Sequence, residues 1–174
     1  METSRRSFLK FGTLGVLLLA AGGGAYRLLH GAPAARFALD KGARAAIDAM
    51  VPALLAGALP LEPAARQAAI GATTRGVHQA ILGLPLGAQK ELQDLFGMLA
   101  LGPVRRLLGA LPSDWPEASP EQVGAFLQGW RTHRIGMLRA AYQALHDLVI
   151  GAWYAEPTSW PAIGYPGPMK ELSA

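Results

Sequence analysis

The chain has 174 residues and no cysteine, so it amounts to about one domain of sequence and excludes disulfides, thiolate zinc, cysteine-ligated iron–sulfur clusters and C-x-x-C-H haem attachment. Its apolar fraction of 51% is weighted to Ala and Leu over Val and Ile, which favours helix over sheet. Four of the 16 basic residues and one of the 12 acids fall within the first 34 positions, leaving a nearly neutral remainder of 12 against 11 that argues against a nucleic-acid partner.

The N-terminal heptapeptide Ser4-Arg5-Arg6-Ser7-Phe8-Leu9-Lys10 matches the twin-arginine export consensus at each position, with Ser4, Arg5, Arg6, Phe8, Leu9 and Lys10 carrying the signal. The apolar stretch that follows, Phe11 to Ala21, is diluted by Gly22, Gly23 and Gly24, the moderate hydrophobicity expected for this route. It falls short of the roughly 20 apolar residues that a spanning helix needs. Ala32-Pro33-Ala34 reads as a processing site with cutting before Ala35, and retention as an uncleaved anchor is the other outcome. The expected organisation is a signal segment over 1–34 and a helical domain over 35–174, delivered folded to the periplasm. A pathway for folded cargo, on a chain without a cofactor motif, implies that any cofactor belongs to a partner.

Helical spacing begins at Leu39, and prolines divide the rest into segments. Asp40 caps a first helix to about Met50, with Ala43, Ile47, Met50 and Leu54 on one face and Pro52 ending or kinking it. A second helix runs from Glu62 to Leu82 with Pro63 in its first turn and Ile70, Val77 and Ile81 buried. A third spans Gln89 to Leu101, a short fourth Pro103 to Leu111, and Pro112 to Ala118 reads as a loop. Ser119-Pro120-Glu121-Gln122 is a capping-box start, and periodic apolar residues from Val123 to Leu148 predict one long helix to about Trp153. The expected fold is therefore all-α, a single-domain bundle around a long C-terminal helix. A tail over 154–174, dense in aromatics, Pro and Gly, follows it and cannot be regular helix. Large rings on a stiff backbone suit docking into a groove of another surface, although Trp153 also suits packing onto its own bundle.

The twin-arginine heptapeptide, the helix bearing Trp130, Arg131, Arg134, Tyr142 and His146-Asp147, and the ending Trp153-Tyr154 with Ser159 to Pro168 together resemble one family. It comprises the small, γ-type, twin-arginine-exported subunits of flavin-dependent glucose-methanol-choline dehydrogenases, related to gluconate 2-dehydrogenase subunit 3. The resemblance covers most of the chain. It implies a non-catalytic subunit that binds a large FAD-containing subunit, helps it mature and carries it through the twin-arginine translocon. Electrons would pass from that flavin to a membrane cytochrome or quinone, and this chain would hold no cofactor. An interior unusually rich in Ala, Gly and Leu departs from the commoner pattern, and the partner's substrate is not legible.

Arg131 and Arg134 are helical neighbours that read either as solvated side chains or as ion-pair donors to the large subunit. With Tyr154, Trp160, Tyr165, Pro166 and Pro168 they form the candidate partner surface. His78, His133 and His146 lack the spacing of a metal pair, and no G-x-S-x-G, G-x-G-x-x-G or P-loop occurs, so intrinsic catalysis is not expected. The contrasting expectation is a free-standing periplasmic helical protein that binds an apolar ligand or the membrane surface.

Overall fold

A computed structural model describes residues 36–109, 111 and 114–167, and among them every regular element is helical. The elements are α1 (Lys41–Leu54), α2 (Pro63–Leu82), α3 (Leu86–Leu99), α4 (Gly102–Gly109), α5 (Pro120–Arg131) and α6 (Gly136–Ala155), with 3₁₀ turns at Trp115–Glu117 and Pro157–Ile163. The all-α, single-domain architecture read from periodicity is the observed one. The export-signal residues Ser4 to Lys10, the triplet Ala32 to Ala34, and Pro168 lie outside the described residues.

Local chemistry accounts for the starts. The Asp40 carboxylate accepts the Ala43 N–H at 2.8 Å, closing the first turn of α1. Glu62 does the same for α2, accepting from Ala64 at 2.9 Å and Ala65 at 2.6 Å. These two bonds hold the Glu62 carboxyl below its ordinary pKa, so this cap is fully formed above the usual carboxylate value and is lost as pH falls through the lowered one. The box at α5 is complete, with Gln122 N–H donating to Ser119 Oγ and Ser119 N–H to Gln122 Oε1.

Helix α1 buries Ala43, Ala46, Ile47, Met50 and Val51, and it packs against α2, α3, α5, α6 and the Trp115 turn. It continues past Pro52 to Leu54, because a proline in the last turn forgoes only one backbone bond. Helix α3 starts at Leu86, ahead of the expected Gln89, which instead works as a buried staple. Its amide donates to Leu82 O at 3.1 Å and Leu84 O at 2.8 Å, and its Oε1 accepts the Phe37 N–H at 3.0 Å.

The predicted long helix is two helices, broken between Arg131 and Gly136. Thr132, His133 and Ile135 are weak helix formers, and polar groups replace the lost helical bonds. Arg139 Nη1 donates to His133 O at 2.7 Å and Arg134 O at 3.2 Å, while Ile135 N–H donates to His133 Nδ1 at 3.1 Å. The apolar spacing runs across the break, which is why periodicity alone missed it.

Helix α6 lies along α2, closest where a Cβ on Gly76 would stand 3.0 Å from the Ala152 Cβ. A Gly76→Leu variant is expected to lose about 1–3 kcal/mol of unfolding free energy through overpacking, measured by urea denaturation. A loss below that measured for Leu at exposed Gln79 would refute the close approach.

Candidate functional site

The polypeptide after α6 folds back on itself. Ser159 is buried, its Oγ donating to Glu156 O at 2.8 Å, and this closes the 3₁₀ turn. Trp160 Nε1 donates to Tyr154 O at 2.9 Å, and the Tyr165 ring meets the Trp160 ring edge-on at 5.2 Å. Two glycines shape this hook: Gly164 has φ +69°, and Gly167, at φ +96°, lies so close that a Cβ would stand 3.1 Å from the Trp160 ring. Trp160 is thus half-buried within its own tail, while Tyr154 and Tyr165 are 47% and 45% exposed and Pro166 is exposed beside them. Trp153, by contrast, is buried in the core.

The candidate partner residues do not converge on one spot. Tyr154, Trp160, Tyr165 and Pro166 gather at the C-terminal end of α6, and exposed Arg131 and Arg134 sit before its N-terminus. Twenty residues at 1.5 Å each put the two groups about 30 Å apart along that helix. That distance matches the width of a standard interface of about 800 Å² per partner, so one large partner can reach both.

Between these ends runs a feature whose residues the sequence reading did not place. Helix α6 is apolar on two sides: Leu138, Tyr142, Leu145 and Val149 enter the core, whereas Ala141, Ala144, Leu148 and Gly151 line an open groove. The opposite wall is α3, through Ala88, Leu92, Leu95 and Met98, and Leu108 and Trp130 also line it. The groove has a volume of about 780 Å³ and is almost wholly apolar. Its charged lining residues are Glu91, Asp94 and Asp147. Lys90 pairs with Asp94 at 2.9 Å, and hydrogen bonds from His146 and then Gln143 hold the Asp147 carboxyl below its ordinary pKa. A two-sided apolar pattern on α6 was visible in the sequence, but only the packing of α2 tells which side is covered.

The chain matches no family model, no curated protein and no solved structure. Function is therefore read from its own surfaces. Among the described residues no group of three or more His, Asp or Glu side chains is placed to hold a metal ion, and no helix is long and apolar enough to cross a membrane. His78 packs its ring 6.0 Å from Phe37, and His146 Nδ1 lies 3.0 Å from Asp147 Oδ1.

Among the described residues Arg105 is the most engaged arginine. It is 3% exposed, with Nη1 donating to Leu99 O at 2.8 Å and Ala100 O at 2.9 Å at the end of α3. Its Nη2 pairs with Asp114, and its guanidinium lies 5.7 Å from the Trp115 ring centre. Its role is structural: it ties the end of α3 to the segment leading into α5.

Proposed function

We propose that this chain is the non-catalytic small subunit of a flavin-dependent dehydrogenase, binding the large FAD-containing subunit, helping it mature and escorting it through the twin-arginine translocon to the periplasm. The observation that supports it most is the aromatic hook, since a tail braced by Trp160 presents Tyr154 and Tyr165 at little entropic cost. The Ser4 to Lys10 heptapeptide supplies the route, and Arg131 and Arg134 offer guanidinium groups to carboxylates on the partner about 30 Å from the hook. FAD and the onward path to a cytochrome or quinone belong to the complex, and the present chain contributes grip and export.

Co-purification from the periplasm of the native host, followed by an absorbance scan, tests this. The tagged chain is expected to bring down a yellow large subunit, and an Arg5→Lys, Arg6→Lys double variant is expected to leave both in the cytoplasm. Trp160→Ala should weaken the complex by about 2 kcal/mol, roughly thirtyfold, while leaving the helical circular dichroism unchanged. A colourless lone monomer would sink the proposal.

One observation favours a second reading, a periplasmic binder of an apolar ligand: the groove volume of about 780 Å³ falls in the range of small-molecule pockets. Organic extraction of that lone monomer would then yield stoichiometric lipid or quinone.

A further inference from the structure

The groove between α3 and α6 leaves an apolar helix face without an intramolecular partner among the described residues. We infer that it is the seat of the chain's own residues 11–25, which withholds the export signal until the large subunit displaces them. The inference rests on the escort reading only for that last clause.

Position is the first reason. Phe37 and Ala38 are pinned to α3, their N–H groups donating to Gln89 Oε1 at 3.0 Å and Gln93 Oε1 at 2.8 Å. The N-terminal segment therefore joins the fold at the helix whose Ala88 and Leu92 form one groove wall. Length is the second. Along α6 the lining runs from Met137 to Ala152, about 22 Å at 1.5 Å per residue, and the fifteen residues from Phe11 to Ala25 would cover the same span as a helix. The eleven-residue step from Ala25 to Arg36 reaches at most about 40 Å, enough to return from either end.

Charge is the third reason. The groove has Glu91, Asp94 and Asp147 in its lining and no basic lining residue, with Lys90 adjoining Asp94. Residues 11–25 are uncharged and apolar, and Arg5, Arg6, Lys10 and Arg27 flank them. An apolar segment bracketed by cations complements an apolar trough whose charged lining residues are carboxylates. Tethering makes weak docking sufficient, because a linked segment is held at an effective concentration on the order of 1 mM.

The release step also has a place. The groove ends at Gly151 and Ala152, less than one turn from Tyr154, so a partner seated on the aromatic hook meets the docked segment directly.

Because the chain has no native cysteine, only introduced thiols can pair. The test is disulfide formation in dilute full-length protein carrying Leu17→Cys with Ala144→Cys, beside a control with Leu17→Cys and Gln67→Cys in the smaller cleft beside α1. The expected result is an intrachain bond in the groove pair at least about tenfold faster than in the control. Adding Leu18→Arg should slow it, as should the purified large subunit. Equal rates in both pairs, or no bond while native mass spectrometry shows retained lipid, would overturn the docking. No bond in a chain that still co-purifies with the flavoprotein would overturn the docking alone. A groove bond in a chain that never binds a flavoprotein would uphold the docking and remove the escort.

Discussion

Replacing Trp130 by alanine is expected to lower the unfolding free energy by about 3–5 kcal/mol, a large share of the roughly 5–15 kcal/mol that holds a domain together. Trp130 is fully buried where α4, α5 and α6 meet, its ring 4.9 Å from Phe126 and its Nε1 donating to Leu108 O at 2.8 Å. The substitution removes a large, fully buried side chain that also lines the groove, and it takes the indole donor away from that carbonyl. Trp130→Phe keeps most of the volume and loses mainly the hydrogen bond, so about 1–3 kcal/mol is expected there. Urea denaturation of the three proteins checks both values. Alanine and phenylalanine variants of equal stability would mean that the indole volume contributes little to the core.

Arg105→Met is the second large effect, expected at about 3 kcal/mol. Methionine matches the aliphatic stem but leaves Leu99 O and Ala100 O without the guanidinium, and hydrogen bonds to a charged donor contribute about 1.5–3 kcal/mol each before compensation. Leu99 O keeps one donor, Trp115 Nε1 at 3.0 Å, which limits the loss. The companion Asp114→Asn leaves both carbonyl bonds in place, and because Asp114 is largely exposed it should cost no more than about 1 kcal/mol. If the two substitutions cost the same, the ion pair rather than the cap would be the stabilising feature. Arg105→Lys is expected to recover little, since an ammonium group cannot reproduce the forked geometry that serves two carbonyls and a carboxylate together.

How far the chain could be read depended on the range of the forces involved. The helix starts at Asp40, Glu62 and Ser119 were legible because a cap is made by residues two or three positions apart. Core positions such as Ile47, Val77, Phe96 and Phe126 were legible because burial repeats with the helical period. Phe37 and Trp115 were missed as core, since both lie outside an α-helix, where no period marks them. Gln89, Gln93 and Arg105 carry no apolar period to mark them as core, but each is buried because its polar atoms meet backbone groups 5 to 55 residues away.

The candidate site divides in the same way. Tyr154, Trp160, Tyr165 and Pro166 were named from the tail's composition and the family resemblance, yet only the fold shows Trp160 turned inward as the brace and the two tyrosines left outside. By itself the sequence determined the helical class and the cap positions, because these follow from chemistry within about one helical turn. The tertiary structure alone decided that Arg105 is a buried cap and that one apolar face of α6 is open. Those outcomes depend on which helix packs against which, and spacing along the chain carries no record of that choice.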